Sequence, residues 1–328
     1  MGFDACQKLL ESGVDVVLLC TPPHFRPLHL QAAVQAGKHV FAEKPVAVDA
    51  PGVHSVLESC KLAKTKGLSV VSGLCLRYDR GFRETVSRLH EGEAGEITTL
   101  LANDYRSGRW AKPKQSSGTE MYYQMRNWYN FTWLSADFNL EQHVHFLDVC
   151  AWIMKEQYPV KAVGMGGRQV LTGNEYGNIY DHFSVVYEYA GGARLISNCR
   201  QQPGCVNDMS AHVLGTKGRA VFQERKNGLR IESNAGSWHY VGPQNDIYQT
   251  EHDEFFASIR GGRPINNGEY MARSTLLAIM GRMAAYSGQQ ITWEMALNSR
   301  ENLGPDRYDW NGAPPVARIA IPGQTPFA

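Results

Sequence analysis

The chain has 328 residues, enough for two domains of ordinary size, each burying its own core. Lys plus Arg is 33 and Asp plus Glu is 32, a formal net charge of +1. That balance excludes the long-range pull of a nucleic-acid or acidic-membrane binder and suits a small neutral or weakly charged ligand. No apolar run reaches the roughly 18 residues a membrane-spanning helix needs. The seven cysteines form no CxxC pair and read as free core thiols, as in a reducing compartment.

In chain order, an amphipathic helical pattern follows directly on Met1-Gly2-Phe3-Asp4, where a signal peptide would carry an apolar stretch. Val14 to Cys20, "VDVVLLC", is a β-branched and aliphatic run that predicts a strand buried on both faces, closed by "TPP". A short helix from Pro27 to Ala36 stops at Gly37, and "KHVFAE" is the next strand. Asp49 caps a longer helix that ends at Gly67, and "LSVVSGLCL" is a third strand. This alternation with short connections predicts a doubly wound parallel sheet, whose ligands bind beyond the carboxyl ends of its strands. Those ends are Thr21-Pro22-Pro23-His24, Glu43-Lys44-Pro45 and Leu76-Arg77-Tyr78.

Beyond about residue 95 the pieces "EITTLLANDY", "VKAVGMGGRQV", "HFSVVYEYAGGARLISNCR", "AHVLGTKGRAVFQ" and "LRIESNAGSWHYVG" predict a large, mostly antiparallel sheet. A helix from roughly Glu141 to Met154 interrupts it, and helices return near 251–260 and 273–286. The expected domains are therefore 1–94 and 95–328. "GMGGRQ" lacks the GxGxxG spacing and reads as a strand-end turn, and "GTKGRA" as a turn between strands.

Three clusters carry candidate chemistry. Pro45 biases Lys44 toward an extended backbone, so the lysine is held at a strand tip, where partial desolvation lowers its pKa toward exchange at neutral pH. On a continuous helix Glu141, His145 and Asp148 fall at i, i+4 and i+7 on one face, with His145 as a proton carrier. His143 and His145 diverge on a helix, and a metal site lacks a third ligand. Tyr122, Arg126, Asn127 and Trp128 in "MYYQMRNWYNFTW" suit a sugar, whose apolar face stacks on rings while its hydroxyls need planar donors and acceptors. Asp181, His182, Arg200 and Gln201 are weaker candidates.

The block "AGKHVFAEKP", the strand ending in Thr-Pro, Arg77-Tyr78 and the spacing Glu141-x-His143-x-His145-x-x-Asp148 together resemble the Gfo/Idh/MocA oxidoreductases, the group of glucose-fructose oxidoreductase and inositol dehydrogenase. The resemblance implies a Rossmann-like parallel sheet followed by a large open sheet, and an NAD- or NADP-dependent reaction on a sugar or polyol. It implies Lys44 beside the nicotinamide and the substrate hydroxyl, and His145 with Glu141 as acid/base partners. Thr21, Pro22, His24, Glu43 and Arg77 would line the cofactor. Tyr122, Arg126, Asn127, Trp128, Asp148, Asp181 and Arg200 would face the substrate. Glu141 stands where the family has aspartate and His143 where it has glycine.

The family opens with a strand, a GxGxxG turn and a further βαβ stretch. Set against it, the chain is expected to hold the nicotinamide side of an incomplete Rossmann-like sheet, and to bind NAD(H) negligibly by itself. Alternatives are a glycosidase that keeps its NAD bound, and a truncated, non-catalytic paralogue retaining sugar binding or oligomerisation. A homodimer or homotetramer through the open sheet is the expected assembly. The expected compartment is the cytoplasm, or the periplasm if a preceding segment carries an export signal.

Overall fold

A computed structural model of the chain describes residues 2–223 and 228–327. Helix α1 (Ala5–Leu10) leads into β1 (Val16–Leu19), α2 (Arg26–Gln35), β2 (His39–Ala42), α3 (Ala50–Thr65) and β3 (Val70–Ser72). The strands form a parallel sheet in the order β1-β2-β3, Val16 lying opposite His39 and Val40 opposite Val70. β2 and β3 are buried on both faces, Val40, Phe41, Val70 and Val71 all lying in the core, whereas β1, expected to be buried on both, is an edge strand that buries Val17 and Leu19 and leaves Leu18 50% exposed. Asp49 caps α3 by accepting a hydrogen bond from Gly52 N at 2.9 Å.

A turn of 3-10 helix (Cys75–Tyr78) and α4 (Arg80–His90) then carry the chain to β4 (Ile97–Arg106). Short helices α5 (Glu120–Arg126), α6 (Thr132–Ser135) and α7 (Phe138–Glu141) precede α8 (Val144–Ile153). Strands β5 (Lys161–Gly167), β6 (His182–Glu188), β7 (Arg194–Gln201), β8 (Asp208–Gly215), β9 (Gly218–Gln223), β10 (Arg230–Ser233) and β11 (Gly236–His239) follow. Helices α9 (Ile247–Arg260) and α10 (Gly268–Ser287), strand β12 (Ile291–Thr292) and α11 (Trp293–Leu297) complete the order. The second sheet runs β11-β10-β9-β8-β4-β7-β6-β5-β12. Among the described residues of this sheet only β4 and β7 are parallel neighbours, and every other pairing is antiparallel.

One face of this sheet packs on helices and the other is open. Along β7, Leu195, Ser197, Cys199 and Gln201 are buried while Arg194, Asn198 and Arg200 lie on the opposite face. Val163, Met165 and Leu214 are exposed apolar residues of the strands, Met165 at 71%. Helix α10, buried along nearly all its length, packs on α3, α8 and β5 and so belongs to both sheets. The chain also returns to β3, where Val70 N donates to Ile265 O at 2.8 Å and Asn267 N to Val70 O at 2.9 Å.

Two local expectations are corrected. "GMGG" is not a strand-end turn but the body of β5. A Cβ on Gly164 would stand 3.1 Å from Val185 and 3.3 Å from Ala285 N, and one on Gly166 2.7 Å from His182 O. Glycine there lets α10 and β6 approach. The single helix from Glu141 is two helices broken at Gln142-His143. His143 turns fully inward and its Nε2 meets Ser197 Oγ at 2.8 Å, so the break serves a buried polar contact with β7.

Burial of Glu251 on α9 gives a test of electrostatics in this core. Its Oε2 is buried without a hydrogen-bond partner, and burial, then the nearby Glu43, pushes its carboxyl up to about 8. The folded state therefore holds a proton that the unfolded chain releases at ordinary carboxylate values, and stability falls as pH rises from about 4.5 toward about 8. Glu251→Gln is expected to leave stability unchanged at pH 4 and to raise it at pH 9 by about 1–3 kcal/mol, after discounting for solvent screening. Urea unfolding at the two pH values measures this; equal effects at both would remove the assignment.

Candidate active site

The parallel sheet delivers Lys44 from the end of β2, and the second unit delivers Glu141 from the last residue of α7. Lys44 Nζ donates to Glu141 O at 2.6 Å and to Glu141 Oε1 at 3.2 Å. The two side chains are 13% and 11% exposed, so the contact is screened much less than a surface pair. The Lys44-Pro45 peptide is cis. Arg26, buried under this turn, donates to Pro45 O at 2.5 Å. Beside Lys44, Glu43 Oε2 accepts from Lys44 N at 3.1 Å, and a side chain on Gly73 would collide with its carboxylate.

His145 lies one residue into α8. Its ring Nδ1 is 3.9 Å from the sulfur of Cys75, which follows β3. Burial, then the charges of Lys44 and Arg106, then His143, hold its pKa well below the usual imidazole value. Its charged form is disfavoured, so at neutral pH the ring has a free lone pair. Burial, then Arg106, brings His143 down to about 3. Arg106 is held by Asp104, Nε to Oδ1 at 2.5 Å, and both project from β4 on the helix-covered face. Gln201 Nε2 donates to Tyr129 Oη at 2.7 Å. Glu141 Oε2 and Gln201 Oε1 are buried acceptors without a protein partner.

Lys44, Glu141 and His145 thus share one site, and Thr21, Pro22 and Glu43 stand at the same carboxyl edge of the parallel sheet. The other candidates lie elsewhere. Asp148, on α8 beyond the break that follows Glu141, accepts both Nε and Nη2 of Arg77 at 2.8 Å and a hydrogen bond from Ser274, so Arg77 and Asp148 satisfy each other. His24 meets Tyr308 Oη at 2.6 Å and the edge of Trp133, and burial lowers it to about 4. Tyr122 is exposed beside Trp310, and Arg126 lies over the Tyr122 ring. Asn127 is buried as a loop fastener, accepting from Lys112 N and donating to Glu175 O. Trp128 packs on Trp110 and Tyr129.

Asp181 and Arg200 are apart from Lys44. Arg200 stacks on Tyr105 on the open face of the sheet. Burial raises the Asp181 pKa, but hydrogen bonds from His182 and from the amides of Leu171, Val170 and Gln169 outweigh it and leave the carboxyl strongly depressed. Asp181 organises the loop after β5. Residues the sequence reading did not single out are Cys75, Asp104, Arg106, Tyr129 and Ser197. In "LANDYR" the polar residues Asp104 and Arg106 occupy the alternating positions that a helix-facing strand gives to apolar residues, and that break in pattern is the available signal.

A groove of about 860 Å³ lined by α2, the start of α3 and residues 297–302, and another of about 820 Å³ beside α4 and α9, include none of Lys44, Glu141 or His145. Converging chemistry, not the size of a depression, marks the site. Among the described residues no group of three or more His, Cys, Asp or Glu side chains is arranged to hold a metal ion, and no helix is long and apolar enough to cross a membrane.

Residues 2–73 match the family model described as an oxidoreductase family with an NAD-binding Rossmann fold, and residues 87–272 match the C-terminal alpha/beta domain of the same oxidoreductases. The chain belongs to the Gfo/Idh/MocA oxidoreductase family. It is 24% identical over 251 residues to an inositol 2-dehydrogenase of Rhizobium meliloti, an alignment spanning 75% of this chain and 68% of the relative. It is 26% identical over 231 residues to a 2,7-anhydro-N-acetylneuraminate hydratase of Escherichia coli, spanning 66% of this chain and 54% of that protein. The crystal structure of GenD2 from gentamicin A biosynthesis, in complex with NAD, superposes with a TM-score of 0.66 at 16% identity, covering 87% of this chain and 80% of the other. NAD(P) is the cofactor of the family. The present residues fit its nicotinamide end: Glu43 and Lys44 stand at the sheet's carboxyl edge, and Glu141 Oε2 is buried without a protein donor.

Proposed function

We propose that the chain works in an NAD(P)-dependent oxidoreductase that oxidises a hydroxyl of a sugar or polyol, with Lys44 holding the substrate oxygen and His145 taking the hydroxyl proton. The observation that carries this reading is the contact of Lys44 with both the carbonyl and the carboxylate of Glu141, made across the two sheets beside a neutral imidazole. When bound, the cofactor supplies a nicotinamide ring that accepts a hydride. Thr21, Pro22, Glu43 and Lys44 would hold that end of it.

The proton chemistry belongs to the chain itself. Glu141 fixes the Lys44 ammonium as a donor that orients the substrate oxygen, and the lone pair of His145 takes the hydroxyl proton. The O–H electron pair becomes the second bond of the carbonyl as the C–H pair leaves as hydride. The unpartnered oxygens of Glu141 and Gln201 are acceptors for further substrate hydroxyls, whose donors would remove the penalty of leaving them bare.

The test is NAD(P)H formation from myo-inositol, glucose and other polyols, followed by absorbance, by the chain joined to a strand and GxGxxG turn of the kind that opens the family's Rossmann domain. Turnover with at least one of them is expected, and His145→Gln should lower kcat about 10²- to 10⁴-fold. In the unmutated chain the acid limb of kcat/KM should fall below the ordinary histidine range of about 6.5, because the imidazole is depressed. A His145→Gln variant with undiminished turnover refutes the role. Release of sugar from an aryl glycoside without net cofactor reduction would select the glycosidase alternative.

A further inference from the structure

We propose that Cys75 is the positioning residue of His145: its sulfur accepts the Nδ1–H of the imidazole and so presents the Nε2 lone pair to the substrate hydroxyl. This rests on the reading of His145 as the proton carrier and deepens it. Cys75 is buried in the 3-10 turn after β3, and its Sγ lies 3.9 Å from His145 Nδ1, within reach of a hydrogen bond to sulfur. Cys75 lies in the turn that follows β3 of the parallel sheet and His145 on α8, so their contact sets the imidazole against Lys44 at the end of β2.

Which nitrogen of a neutral imidazole carries the proton is set by the partner of the other. An imidazole N–H is a good donor and a thiol a weak one, which favours Nδ1–H donating to sulfur over S–H donating to nitrogen. The identity of the partner also fits its surroundings. The charged and titratable groups around His145 are Lys44, Arg106 and His143, with Glu141 and Asp104 already engaged by Lys44 and Arg106. A carboxylate at position 75 would pull the imidazole back toward its protonated form, in which it cannot act as a base. A neutral sulfur orients the ring without adding charge.

The experiment is NMR of the ring nitrogens in the full chain labelled with 15N-histidine at neutral pH, with His145→Gln assigning the signal. The wild-type ring is expected as the Nδ1–H form. Cys75→Ala should move it to the Nε2–H form that free histidine prefers, and Cys75→Ser, which keeps an acceptor, should restore most of the Nδ1–H population. In the chain joined to the family's opening strand and GxGxxG turn, with myo-inositol and NAD as probe, Cys75→Ala is expected to lower kcat about 10- to 100-fold with KM changed less than about threefold. Cys75→Asp should move the acid limb of kcat/KM upward.

Identical ring signals in the wild type and in a folded Cys75→Ala chain would overturn the proposal; if Cys75→Ala does not fold, wild-type Nε2–H signals do so equally. The tautomer is read without substrate. A His145→Gln chain that retains turnover would therefore remove the functional reading while leaving this result to stand or fall separately.

Discussion

Lys44→Ala is expected to lower kcat about 10²- to 10⁴-fold while leaving the fold intact. The side chain spans from the end of β2 to Glu141, and alanine removes both of its hydrogen bonds there. The Glu141 carboxylate would then be left nearly buried without its cation, and its repulsion of a substrate alkoxide would add to the loss. Lys44→Arg should recover little, because a planar fork cannot place one donor on the carbonyl and the carboxylate at the same short reach. Steady-state turnover of a responsive polyol with NAD, in the chain joined to the family's opening strand and GxGxxG turn, measures the effect. A Lys44→Ala chain within a few fold of the unmutated one would sink the assignment.

The second large effect is on stability. Arg77→Ala is expected to destabilise the chain by about 3–5 kcal/mol, because Asp148 would remain as a buried charge without its partner. Arg77 makes both of its contacts to Asp148 at 2.8 Å, reaches Glu156 at 2.8 Å and lies 3.8 Å above the Tyr270 ring. Burial alone would raise Asp148, and Arg77 is the chief group opposing that. The paired change Arg77→Met with Asp148→Leu should cost much less than either single change, since it removes both charges from the interior. Urea unfolding of the three variants provides the comparison. A loss below about 1 kcal/mol for Arg77→Ala would mean that Asp148 finds another partner or is protonated at little cost.

The apolar runs that make β1, β2 and β3 and the capped helix α3 were legible because strand burial and N-capping are local properties. The contact of Lys44 with Glu141 lies where the resemblance alone would put it, since strand-end geometry gives the edge on which Lys44 stands and not its partner. The Gln142-His143 break was not legible, because the Ser197 that draws His143 inward lies 54 positions further along the chain. For the same reason Asp148 was read as facing the site: periodicity gives a helix face but not the partner, Arg77, that occupies it. The glycines of β5 were misread because the need for them comes from outside the segment, from β6 at Gly166 and from both β6 and α10 at Gly164. Cys75 and Tyr129 enter through packing between distant strands and helices, which no single-segment pattern encodes, whereas Arg106 left a local trace in the broken alternation of β4.

Helix α10 touches α3 beneath the parallel sheet and β5 of the open one, and its Arg282 is tied to Glu301 of the following segment. Lys44 ends a strand of the first sheet and His145 lies on the helix packed on the second, so in the reaction proposed above the register between the two sheets would set the alignment of proton transfer. A loosening of α10 would detune proton transfer long before the protein melts, and heat inactivation should precede the loss of secondary structure. The helix that bears no chemistry is thus the element that sets the working temperature of the site.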